Sequence, residues 1–118
     1  EAARRAGVAP GHLVVDPGIG FGKTVRHNLE LLRHLDALQV LDTPVLAGVS
    51  RKSFLGAITG RQVADRGPGS VAAALIAVQR GAAIVRVHDV GPTRDALTVA
   101  AAIDEVADQR HGQKLLRN

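Results

Sequence analysis

The chain has no cysteine, tryptophan, tyrosine or methionine, and two phenylalanines supply all of its aromatic content. Without cysteine there is no disulfide framework and no thiolate metal site. With so few rings there is no platform on which nucleobases could stack, so no nucleic-acid partner is expected. No apolar run approaches the roughly 18 residues of a membrane span, and the opening segment Glu1 to Gly7 does not have the pattern of a signal peptide, so no membrane partner is expected. HxH, HExxH and clustered carboxylates are also missing, which argues against a metal cage built from this chain alone. His12, His27, His34 and His111 read as surface positions.

What is present is the composition of a globular chain: 118 residues, 46% hydrophobic and 22% charged. That length fits one domain over residues 1–118. The apolar share is mostly Ala, Val, Leu and Ile, which suits helices packed on a parallel sheet. The net charge of +4 arises from fifteen Lys and Arg against eleven Asp and Glu. No basic stripe forms, so a solvated surface explains it at least as well as a phosphate-attracting field. Glu1 to Gly7 reads as the last turns of a helix closed by Gly7, so the chain is expected to be a piece of a longer protein.

Three short apolar runs, His12–Asp16, Val45–Ser50 and Ala83–His88, read as buried parallel strands. Between the first two, Asn28 is placed to cap a helix with Leu29, Leu31, Leu32, Leu35 and Leu38 at helical spacing, stopped by Thr43-Pro44. Phe54–Ile58 reads as a short helix, and residues 59–69 as the longest irregular stretch. Ser70 is placed to cap a helix over Val71–Arg80 that Gly81 ends. The Gly91-Pro92-Thr93 turn leads to a last helix from Arg94 to about Arg110, with Ala96, Leu97, Ala100, Ile103 and Val106 or Ala107 as its apolar stripe. Three strand–loop–helix repeats define an α/β architecture with parallel strands. The strand ends Asp16, Ser50 and His88 are 34 and 38 residues apart, a spacing shared by (β/α)8 barrels and open doubly wound sheets.

Each strand run ends in reactive polar groups: Asp16, then Ser50-Arg51-Lys52-Ser53, then Arg86 and His88-Asp89. In parallel α/β folds the strand C-termini open on one face, where ligands bind. Any one of these groups could simply cap a helix; three consecutive strands point to a site. The intervening segment Asp16-Pro17-Gly18-Ile19-Gly20-Phe21-Gly22-Lys23-Thr24 is not a P-loop, because Pro17 stands where the first glycine is needed. It is not a dinucleotide fingerprint either, since Lys23 occupies the third glycine position. Its glycines allow a tight loop in which Phe21 either faces a ligand or packs into the core. Lys52 follows a buried strand, where a cation needs an anionic or carbonyl partner; Asp16 could pair with it, or both could grip the edge of a heterocycle. Arg86 and His88, two residues apart on a strand, share a face and suit an anion such as pyrophosphate.

The segments Asp16–Lys23, Gly48-Val49-Ser50-Arg51-Lys52-Ser53 and Arg86-Val87-His88-Asp89-Val90 together resemble, in order and spacing, the three C-terminal signatures of the dihydropteroate synthase family of pterin-binding enzymes. The resemblance runs from residue 3 to about 107. It implies the C-terminal three βα units of a TIM (β/α)8 barrel, with the units that precede them in the family absent. It also implies a transferase of folate synthesis, a sulfonamide target, which condenses p-aminobenzoate with 6-hydroxymethyl-7,8-dihydropterin diphosphate. By the resemblance, Asp16 binds the pterin edge, Lys52 contacts the pterin ring and borders the p-aminobenzoate pocket, and Arg86 stacks on the pterin face. Arg86 and His88 hold the diphosphate, Phe21 and Ser53 form the p-aminobenzoate site, and Lys52, Arg86 and His88 serve catalysis. Mg2+ is the implied cofactor, with its ligands in the preceding units; a homodimer and a cytoplasmic location are implied for the full-length enzyme. Two other assignments fit the sequence: the pterin-binding domain of a folate-dependent methyltransferase, and a non-catalytic half-barrel binding module.

Overall fold

The computed structural model describes residues 14–108. Two strands, β1 (Leu46–Gly48) and β2 (Ile84–Arg86), pair in parallel with Leu46 opposite Ile84 and Gly48 opposite Arg86. A third segment joins on the other side of β1 through one parallel bridge, Val15 to Val45. The Val15 N–H donates to the Pro44 carbonyl, and the Leu46 N–H donates to the Val15 carbonyl, both at 2.8 Å. The expected first strand is thus reduced to a bridge, with His12 and Leu13 outside the described residues. The other two strands are each trimmed to three residues.

Helix α1 spans Val25–Arg33 and a 3-10 helix follows over Leu35–Leu41. Its N-cap is Thr24, whose Oγ1 accepts the His27 N–H at 3.1 Å, and not Asn28 as the sequence had indicated. Asn28 lies inside the helix, buried. After β1 come α2 (Ser53–Thr59), a 3-10 turn at Val63–Asp65 and α3 (Gly67–Gln79). Helix α3 begins three residues before Ser70, because Pro68 in its first turn has no N–H that requires a partner. Ser70 is therefore a buried helical residue, not the cap expected of it. The same effect of proline starts α4 (Val90–Asp108) before Arg94, with Pro92 in its first turn.

The buried positions of α3, Ser70, Ala73, Ala74 and Ala77, form one stripe at helical spacing. Their short side chains let the helix lie close to β1, and they share a core with Val45, Ala47, Val49, Phe54, Leu55, Leu32, Leu35 and Ile19. By strand alternation, Val45, Ala47 and Val49 face the helices, while Leu46, Gly48 and Ser50 face the opposite side. On that opposite side Val14 and Ile84 are 47% and 43% exposed. The expected stripe of α4 is only partly covered, and Ile103 is exposed. No helix among the described residues is long and apolar enough to cross a membrane.

Candidate functional site

The loop from Asp16 to Lys23 is held by its own polar groups. Asp16 Oδ1 accepts the Gly18 N–H at 2.8 Å, and buried Asn28 accepts the Gly20 N–H through Oδ1 at 2.7 Å. The Lys23 ammonium donates to the Gly18 carbonyl at 3.0 Å and to the Phe21 carbonyl at 3.2 Å. Gly20 has φ 91°, and a Cβ there would stand 2.7 Å from Lys52 Cδ. Both its backbone conformation and the passing lysine stem require glycine. The loop presents Phe21 outward at 65% exposure, so this ring is not a core residue.

Lys52 reaches across from the start of α2. Its ammonium donates to the Ile19 carbonyl and lies 4.7 Å from the centre of the Phe21 ring. Partial burial, followed by repulsion from Arg86, holds this ammonium below the ordinary lysine range; Asp16 pulls the other way and Lys23 adds to the repulsion. The Asp16–Lys52 pair weighed from the sequence is not the ion pair that forms. Asp16 Oδ2 lies 3.8 Å from Arg86 Nη1 instead. Arg86 comes from β2 and lies over Gly48 of β1, where a Cβ would overlap its guanidinium. Glycine at 48 thus keeps the path across the sheet open.

His88 follows on the same face of the β2 run. Its N–H donates to Ser50 Oγ at 3.1 Å, and its Nδ1 lies 2.8 Å from the same oxygen. Beside it, Arg51 adopts φ 56°, a left-handed conformation that strains a side-chain-bearing residue. Three elements hold it there. Its N–H donates to Ser70 Oγ at 2.7 Å, its carbonyl accepts from Arg66 Nη1 at 3.0 Å, and its Nη2 donates to Asp89 Oδ1 at 2.9 Å. The pairing raises the Arg51 pKa and lowers that of the Asp89 carboxyl, in both cases chiefly through this hydrogen bond. The strained turn aims Lys52, the next residue, back over the sheet.

Asp16, Phe21, Lys52 and Arg86 are therefore brought together, with His88 beside them on the sheet's open face. Ser53 is exposed in the first turn of α2 and is not bonded to that group. Ser70, Asn28 and Arg66 were not singled out by the sequence as part of the site. For Asn28 and Ser70 the signal is burial of a polar group, which only the tertiary structure displays. Among the described residues no group of three or more His, Asp or Glu could hold a metal ion. What the arrangement can do is bind a planar polar ring and an anion: one carboxylate acceptor, one aromatic face, and an excess of cations.

A family model described as pterin binding enzyme matches residues 1–88, and the chain belongs to that family. Its relatives there include dihydropteroate synthases. The chain is 56% identical over 100 residues to the dihydropteroate synthase of Neisseria meningitidis serogroup C, covering 83% of this chain and 35% of that protein. It matches the structure of Xanthomonas albilineans dihydropteroate synthase in complex with 7,8-dihydropteroate at TM-score 0.86 and 53% identity, over 87% of this chain and 40% of that one. The structure of the same enzyme with 4-aminobenzoic acid gives TM-score 0.86 and 53% identity, over 87% and 38%. The chain spans about a third of the length of the curated relatives it matches. The α/β unit with two parallel strands corresponds to part of the fold of those enzymes.

Proposed function

We propose that these residues form the C-terminal three βα units of a (β/α)8 barrel that joins p-aminobenzoate to 6-hydroxymethyl-7,8-dihydropterin diphosphate, forming a C–N bond and expelling pyrophosphate. The observation that carries this is the convergence of Asp16, Lys52 and Arg86 from three successive strand ends. Asp16 accepts from the pterin N–H groups, Lys52 donates to the ring and borders the p-aminobenzoate site, and Arg86 lies on the pterin face. Arg86 and His88 meet the diphosphate, so that charge developing on the leaving group faces a guanidinium and an imidazole N–H. Phe21 and Ser53 contribute to the p-aminobenzoate side. Relatives bound to 7,8-dihydropteroate and to 4-aminobenzoic acid support both halves of the pocket.

Mg2+ does not fit the donors present. It prefers oxygen ligands in octahedral array, whereas Asp16 is engaged by Gly18 and Arg86, and Asp89 by Arg51. Its ligands belong to units outside the described residues. The open sheet face makes residues 1–118 inactive by themselves until the remaining units cover it. Equilibrium dialysis tests the substrate class. Retention of 6-hydroxymethyl-7,8-dihydropterin diphosphate without retention of a methylated folate is expected; preference for the methylated folate would instead favour a methyltransferase domain.

A further inference from the structure

Ser50 Oγ accepts the His88 backbone N–H and also lies against the His88 ring. Ser50 is buried, 8% exposed, at the end of the β1 run. A hydroxyl offers one proton and two acceptor lone pairs. The His88 backbone N–H can only donate, so it occupies a lone pair of Ser50 Oγ at 3.1 Å. The hydroxyl proton is then left for the ring nitrogen Nδ1, 2.8 Å away. In neutral imidazole, an accepting Nδ1 places the ring proton on Nε2. The opposite tautomer would aim two donors at Oγ and leave the buried hydroxyl proton without an acceptor among the described residues.

From this geometry we infer that Ser50 is a positioning residue that holds His88 in the Nε2–H tautomer, so that His88 offers a neutral N–H donor to an anionic oxygen on the open face of the sheet. A lone pair at Nε2 would repel such an oxygen; the locked N–H attracts it. That the anion is a diphosphate rests on the function proposed above, whereas the tautomer does not.

The test is a two-bond 15N–1H correlation spectrum of the full protein labelled in its histidine rings, recorded above about pH 8, where an ordinary histidine is neutral. His88→Gln identifies the resonance. The expected wild-type pattern is that of Nε2–H, retained in Ser50→Thr and averaged between tautomers in Ser50→Ala. A wild-type Nδ1–H or averaged pattern overturns the inference even if Ser50→Ala does not fold, and so does an unchanged pattern in a folded Ser50→Ala protein. Inorganic pyrophosphate, added next, should shift His88 Nε2 and bind Ser50→Ala roughly threefold to tenfold more weakly. A locked Nε2–H that pyrophosphate does not move overturns the diphosphate role and upholds the positioning.

Discussion

The two faces of the sheet formed by Val15, β1 and β2 are finished to different degrees. Toward the helices, Val45, Ala47 and Val49 are at most 1% exposed and the alanines of α3 fill the space over them. Toward the other side, Val14 and Ile84 are left partly exposed, and the polar groups on that face are tied mainly to loop backbone and to one another. The lesson is a division of labour. One face supplies the free energy of folding through burial, and the other is kept open with Lys23, Lys52 and Arg86 gathered around the single carboxylate of Asp16.

Substitutions separate the two faces. Phe54→Ala, at a 2% exposed site, should cost about 3–5 kcal/mol in urea unfolding. Ile84→Ala, 43% exposed, should cost under about 1 kcal/mol. Equal costs for the two in the isolated chain would break the comparison. Asn28→Ala removes the acceptor of the Gly20 N–H and should cost about 1–3 kcal/mol, with faster amide exchange at Gly20 as the local readout. Gly48→Ala displaces the Arg86 guanidinium; dialysis should show about tenfold weaker retention of the pterin diphosphate with little change in unfolding. The smallest effect concerns pH. Because the folded Asp89 carboxyl is lowered by Arg51, the stability it adds is present above the unfolded carboxylate range and is lost as pH falls through the depressed value. Asp89→Asn should flatten the acid limb of a stability–pH curve in that window. Lys52 gives a slope of the same sign at alkaline pH, although there the fold disfavours the charged form: its lowered pKa makes stability rise with pH up to the ordinary lysine range, and Lys52→Met should remove that rise.

Much of the finished face and part of the open one were legible in the sequence. Strand runs ending in Asp16, Lys52 and Arg86 were readable because parallel strands deliver their C-termini to one face whatever the closure of the sheet. Asn28 and Ser70 were not, and for one physical reason. Both carry a short side-chain acceptor of the kind that caps a helix, but here the same lone pairs serve loop N–H groups, those of Gly20 and Arg51. Local sequence shows the acceptor; only packing decides which donor reaches it. The partner of Asp16 stayed open in the sequence for the same reason, since two cations lie within its surroundings and the open path over Gly48 brings it Arg86. Of the expected first strand, His12 and Leu13 lie outside the described residues, and Val15 joins β1 through a parallel bridge.

The most direct test of the account is chromatographic measurement of 7,8-dihydropteroate formed from p-aminobenzoate and 6-hydroxymethyl-7,8-dihydropterin diphosphate, with host enzyme removed. Residues 1–118 alone should form no product; adding a polypeptide that supplies the other barrel units should restore it, and Lys52→Ala in the complemented protein should abolish it. Product from the isolated chain, or complemented activity indifferent to Lys52→Ala, would contradict the account.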